Sequence, residues 1–183
     1  ALAKALQAQA DHFTWDCDGL GISLKRQVDT ALAGKKMEYH LFKGSESPYD
    51  PELPYTLGGL QKAKTNKETF FNKRAQMWWK LRDRFEATYR AVSKGQYINP
   101  EELISLSSEI DSIEQLRSEV CRIPLKRANS GKIQILSKVE MAKKPYSIPS
   151  PNMGDALMMS MQTPKLSMVK PVQIDFAGWK QYG

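Results

Sequence analysis

The sequence has little cysteine, little histidine and no long apolar run, and each shortage narrows what the protein can be. Its two cysteines, Cys17 and Cys121, form no C-x-x-C pair, and its two histidines, His12 and His40, complete no zinc site with them at any usual spacing. The expectation is two reduced, buried thiols in an intracellular protein. No stretch approaches the roughly 20 apolar residues that cross a bilayer, so no membrane helix is expected. A nucleotide-driven motor is excluded too, because no G-x-x-x-x-G-K-[S/T] occurs: Gly34-Lys35-Lys36 and Gly131-Lys132 lack both the upstream glycine and the following Ser or Thr. Also absent are G-x-S-x-G, H-E-x-x-H, G-x-G-x-x-G and internal repeats. The start, Ala1-Leu2-Ala3-Lys4, has no Met and no signal-peptide architecture; it reads as a helix entered part-way, with further sequence expected ahead of it.

What is present suits one domain, or one domain with an appendage, in 183 residues. Hydrophobic residues make up 41% and charged residues 26%, which supports a packed core over a disordered chain. The net charge of +7 favours a polyanionic partner, since phosphate contacts release counterions.

Along the chain, residues 1–10 suit a helix, and His12 to Cys17 read as a short buried strand. Asp18-Gly19-Leu20-Gly21 supplies a turn, and residues 22–33 carry Ile22, Leu24, Val28, Ala31 and Leu32 at helical spacing with Gly34 as a C-cap. Met37 to Phe42 alternates again, so strand, helix and strand predict a parallel βαβ unit. A proline- and glycine-containing stretch from Lys43 to Thr65 follows; a loop of that length is usually functional or mobile. Residues 66–94 predict one long helix with Phe71, Ala75, Trp78, Leu81, Phe85, Tyr89 and Val92 on a single stripe and Gly95 closing it. Further helices are expected near Pro100, over 109–121 and at 138–144. Residues 122–137 predict a basic β-hairpin turning at Asn129-Ser130-Gly131. A final helix runs through Asp155 to Met161, capped by Ser150 or Asn152. Its methionines and the Trp78-Trp79 pair read as core packing, and a lysine-containing tail follows from Thr163.

Two places carry candidate chemistry. Asp16 and Asp18 stand at the exit of the first strand, where ligand sites of open α/β sheets lie, beside glycines that let a bulky polyanion approach. The same spacing also suits a helix cap. Asp155 is an acid in the first turn of an otherwise apolar helix; it suits either a dipole and capping role or, with small Gly154 and Ala156 beside it, a metal site. Two such acids meeting at one sheet edge would bind a hard cation such as Mg²⁺ or Mn²⁺.

Five segments, taken in order, resemble the nuclease domain of large terminase subunits from headful-packaging tailed phages. They are Ala10 to Gly21 (ADHFTWDCDGLG), Phe42 to Pro48 (FKGSESP), Phe71 to Gln76 (FNKRAQ), Lys138 to Met141 (KVEM) and Ile148 to Met159 (IPSPNMGDALMM). The resemblance covers about Ala1 to Met161. It implies an α/β chain with an RNase H-like nuclease fold: a mixed sheet flanked by helices, with a β-hairpin insertion and with the opening strands missing from this chain. The domain would span 1–162, followed by a tail at 163–183. The implied activity is metal-dependent endonuclease cleavage of concatemeric double-stranded viral DNA during packaging into procapsids, in the host cytoplasm. Asp16 and Asp155 correspond to two of the family's three catalytic carboxylates, with Asp18 as a secondary metal-site acid, around a two-metal Mg²⁺ or Mn²⁺ centre. The remaining acid is expected upstream of Ala1, and the family's loop is shortened near Leu60 to Asn66. Lys73, Arg74, Arg122, Lys126, Arg127 and Lys132 are the candidate DNA contacts, and Glu140 is expected to be structural. Portal protein and small terminase subunit would partner the full-length protein, with no membrane involved. Two alternatives stand beside this reading: a non-catalytic DNA- or portal-docking module, and a resolvase- or transposase-type nuclease on the same fold.

Overall fold

The computed structural model describes residues 1–55, 64–126 and 130–161. Two strands, β1 (His12–Asp16) and β2 (Glu38–Phe42), pair in parallel with His12 level with Glu38 and Asp16 level with Phe42. Between them runs α2 (Lys25–Leu32), the crossover that parallel pairing requires. A helix at the start, α1 (Leu2–Gln7), closes one end of this unit. Trp15, Cys17, Val28, Leu32 and Met37 form one buried cluster, against which Leu2, Leu6 and Tyr39 pack. Side chains two apart share a strand face. With Trp15 and Cys17 turned into that cluster, Thr14 and Asp16 face the opposite side.

That opposite side is covered by helices. A short α3 (Asn66–Thr69) precedes the long α4 (Lys73–Lys94), and then come α5 (Ile113–Cys121), α6 (Lys138–Ala142) and α7 (Asn152–Ser160). A second cluster joins Phe42 at the end of β2 to Ala75, Met77, Trp78 and Leu81 of α4, Ile135, and Met158 of α7. The layers are therefore α1 and α2, then the two-stranded sheet, then α4 and α7.

Several expectations need correction. The predicted 66–94 helix is two helices. Thr65 and Glu68 close a capping box around α3, and Asn72 then accepts from the Ala75 N–H to start α4 afresh. The break turns Phe70 into the core and Phe71 out, and Tyr89 and Val92 near the end of α4 are exposed as well, so the expected stripe fails at these three positions. Residues 19–24 form a 3₁₀ turn ahead of α2, which leaves Leu20, Ile22 and Leu24 exposed. Among the described residues the only sheet is the parallel pair, not a mixed one. The predicted hairpin survives as one antiparallel bridge, Leu125 with Ile135, with Lys126 N–H donating to Gln134; part of its turn lies outside the described residues. Gly95 does end α4, at φ 62°, in the left-handed region where glycine carries no steric cost. The tail expected at 163–183 also lies outside the described residues. None of the described helices is long and apolar enough to cross a membrane.

Candidate active site

Asp16 ends β1 and Asp155 lies in the first turn of α7, and the packing of α7 against β1 brings the two together. The link is Lys138, the first residue of α6. Its Nζ lies 3.0 Å from Asp16 Oδ2 and 3.0 Å from Asp155 Oδ2, so these oxygens are no further apart than twice that distance. Burial works to lower the Lys138 pKa, but its hydrogen bonds and attraction to Asp155, and then to Asp16, outweigh burial and raise it.

Asp155 is 95% buried by residue surface, its relative accessibility being 5%. Its Oδ1 accepts from the Trp78 indole N–H at 3.2 Å and lies 3.6 Å from Arg74 Nη2. Its Oδ2, although ion-paired with Lys138, is buried and takes no well-aligned hydrogen bond. A buried carboxylate oxygen sharing one ammonium with a second carboxylate is a donor set that suits a hard divalent cation in the ammonium's place. The Arg74 guanidinium gives Nη1–H to Leu136 O at 2.9 Å, while its Nε and Nη2 are buried without hydrogen-bond partners.

The turn after β1 holds Asp16 by close approach. An added Cβ at Gly21 would lie 2.0 Å from the Asp16 carbonyl oxygen, so only glycine passes there. The Trp15 indole N–H donates to Gly21 O at 2.9 Å and fixes the same turn. Neither aspartate in this turn caps the helix. Asp16 Oδ1 accepts from the Asp18 N–H at 3.1 Å, and Asp18 is bound through both oxygens to Ser45, at 3.0 Å from its N–H and 2.9 Å from its hydroxyl. Asp18 thus stands beside Asp16 but is exposed and directed at the β2 exit loop.

The start of α7 is not capped by Ser150 or Asn152, which hydrogen-bond to each other. Glu119 of α5 does it instead, accepting the Met153 and Gly154 N–H groups at 2.7 and 2.9 Å. Burial opposes its charge, but the bonds from Gly154, Gln115 and Met153 prevail and lower its pKa. Gly154 lets α7 lie on Trp78, since a Cβ there would come within 2.7 Å of the indole.

Two of the expected DNA contacts are turned inward. Lys73 pairs with Glu46 at 2.7 Å and sits 4.3 Å from the Tyr49 ring centroid, its side chain 10% exposed. Arg74 belongs to the acid site described above. Arg122 is exposed and Lys132 half-buried, on the hairpin segment. Lys126 pairs with Glu140, which closes a capping box with Ser137; Lys126 and then Ser137 hold the Glu140 carboxyl down to about 2. Glu140 is structural, as expected, and Arg127 lies outside the described residues.

Trp78 and Glu119 carry no sequence signal for these roles, and Ser45 enters only as a member of the FKGSESP segment. In the sequence Lys138 appears only as the first residue of the expected 138–144 helix and of the KVEM segment, with no role attached.

A parallel α/β unit with aspartates from a strand end and a late helix meeting at the carboxyl edge of the sheet places two carboxylates where a hard divalent cation can be held. No protein-family model and no curated protein matches the chain. Solved structures do. The nuclease domain of the large terminase subunit gp2 of bacterial virus Sf6 is 43% identical, with a TM-score of 0.81 over 90% of this chain and 70% of that one. A lysine-to-alanine mutant of that domain with manganese is 42% identical, with a TM-score of 0.82 over 90% of this chain and 71% of that one. A mutant form with calcium gives 42% identity and a TM-score of 0.82 over 90% and 70%. The chain belongs to the nuclease domains of phage large terminase subunits, whose role is that of a metal-dependent nuclease in phage DNA packaging.

Proposed function

We propose that the chain is a divalent-metal-dependent endonuclease that hydrolyses the phosphodiester bonds of concatemeric double-stranded viral DNA. One observation carries this reading: Asp16 and Asp155, far apart in sequence, are drawn to a single cation, the Lys138 ammonium. Mg²⁺ or Mn²⁺ is the matching cofactor, and the manganese and calcium in the Sf6 domain structures support it. Asp16 and Asp155 would hold such an ion, which would supply water activation and stabilisation of the leaving oxygen. The chain's own groups prepare the place. Asp16 and Asp155 offer oxygens. Trp78 fixes the rotamer of Asp155, and Lys138 offsets the repulsion between the two carboxylates. Arg74 Nε and Nη2, which have no hydrogen-bond partners, add positive potential beside Asp155 for a phosphate. Asp18 is a neighbouring acid that Ser45 keeps from Asp16's position.

The parallel β1–α2–β2 unit supports placing this chain in an RNase H-like sheet. The Leu125–Ile135 pairing supports the hairpin insertion. Arg122, Lys126 and Lys132 on that segment, with Arg127 beside them in sequence, guide the duplex. The full-length protein works with portal and small terminase subunits in the host cytoplasm.

A plasmid-nicking assay tests the proposal. Supercoiled DNA should be relaxed and linearised with Mn²⁺ and left intact with EDTA. Asp155→Asn should lose cleavage while keeping the wild-type circular dichroism spectrum. Undiminished cutting by a folded Asp155→Asn chain would remove Asp155 from the mechanism.

A further inference from the structure

At the opposite end of the strands from Asp16, two histidines converge that are 28 residues apart in sequence. The register puts His12 level with Glu38 and Thr14 level with His40. Residues two apart on a strand share a face, so His12, Glu38 and His40 project to the same side of the sheet. His40 Nε2 lies 3.3 Å from His12 Nδ1, and the same Nδ1 lies 3.7 Å from Glu38 Oε2. One ligand atom from each residue falls within 4.8 Å of the others. The rings are tilted by 40° with centroids 5.3 Å apart, so the two nitrogens, not the ring faces, point at each other.

We propose that His12, Glu38 and His40 form a binding site for a zinc-class transition-metal ion, separate from the acid site. The spacing is the main reason. Zinc–nitrogen bonds of about 2.0–2.1 Å at tetrahedral angles set two ligand nitrogens about 3.3 Å apart. The two imidazole nitrogens already stand at that separation. Binding replaces the hydrogen they share and releases it to solvent. Glu38, with a side chain 70% exposed, is free to swing its oxygen inward from 3.7 Å. Two imidazoles and one carboxylate leave a fourth position open to water. Nitrogen donors favour zinc, nickel or copper over magnesium, whereas a carboxylate pair has the reverse preference. The two sites therefore select different ions. They are separated by the length of β1, about 13 Å at a strand's rise per residue. A bound ion would tie β1 to β2 at the end where α1 leads into the sheet.

Calorimetric titration of zinc into the full chain, with excess Mg²⁺ present to occupy the acid site, tests this directly. The expected result is one zinc ion per chain. His40→Ala should weaken binding by at least about tenfold, since even partners outside the ligand sphere are worth about 10–100-fold. Glu38→Gln, on an exposed side chain, keeps the fold and should also weaken binding. Cobalt in place of zinc should give the visible absorption of a tetrahedral nitrogen–oxygen site in wild type and lose it in His40→Ala. No zinc binding in wild type, or unchanged affinity in both variants, would overturn the proposal. The nuclease reading is untouched by either result, because none of its residues is altered.

Discussion

Replacing Lys138 with Met keeps the length of the side chain and removes its charge from between two carboxylates. Asp16 and Asp155 then lose an ammonium that stands 3.0 Å from each. The Asp155 side chain, 7% exposed, keeps only the Trp78 N–H and the Arg74 guanidinium at 3.6 Å. Breaking a buried pair costs about 3–5 kcal/mol and an exposed one about 0–1 kcal/mol. Lys138 is 39% exposed, so solvent screens it, and Arg74 remains. A loss of about 2 kcal/mol follows from that intermediate position. For a chain of this size it lowers Tm by about 4–8 °C. The raised pKa of Lys138 means that its contribution is complete at neutral pH and fades only as pH rises through its alkaline folded value. Manganese should reverse the loss. An ion at about a hundred times its Kd adds about 2.7 kcal/mol, and in the variant it need not displace an ammonium from the same oxygens. Thermal melts in EDTA and in Mn²⁺ measure both effects. The manganese-induced rise in Tm should be larger in Lys138→Met than in wild type. An unchanged Tm in EDTA, or equal manganese shifts, would refute the competition between the ammonium and a divalent ion.

Three further outcomes follow from the same geometry. Gly21→Ala places a Cβ 2.0 Å from the Asp16 carbonyl oxygen, so the strand tip must move; a loss of about 1–3 kcal/mol or more in urea unfolding is expected, together with weakened manganese-dependent cleavage. Glu119→Gln removes the charge that caps α7 and should cost about 1 kcal/mol at neutral pH. Because the folded pKa of Glu119 is lowered, that stabilisation is present above its ordinary value and lost as pH falls below it. Wild-type stability should therefore drop more steeply on acidification than that of Glu119→Gln, and parallel curves would contradict this. Arg122→Ala with Lys132→Ala should flatten the salt dependence of DNA binding by about two units of log–log slope, read by fluorescence anisotropy; an unchanged slope would take the hairpin off the DNA path.

The parts of this design legible in the sequence are the local ones. His12 to Asp16 and Glu38 to Phe42 alternate as strands do, the glycines after Asp16 mark a turn, and the Asn152 to Ser160 helix announces itself by composition. Those patterns leave Asp16 and Asp155 open between capping and metal binding, and the resemblance to terminase nuclease domains assigns them to the acid site. The α3/α4 break was written in Asn72, a good N-cap, but the apolar spacing on either side runs through it. What stayed hidden depends on long-range contacts. Lys138 reaches Asp16 across 122 residues, Trp78 reaches Asp155 across 77, and Glu119 caps Gly154 across 35. No local pattern encodes such partners. Lys73 and Arg74 look like a solvated basic pair, yet Glu46 and Asp155 draw them inward. The meeting of His12 with His40 depends on strand register, which periodicity leaves open until the pairing is known.

The most direct measurement is the anomalous scattering of manganese in crystals of the chain grown or soaked with Mn²⁺. Density between the Asp16 and Asp155 carboxylates, with the Lys138 ammonium moved aside, is the predicted result. Anomalous peaks only elsewhere, with Lys138 still bridging both aspartates at saturating metal, would contradict it.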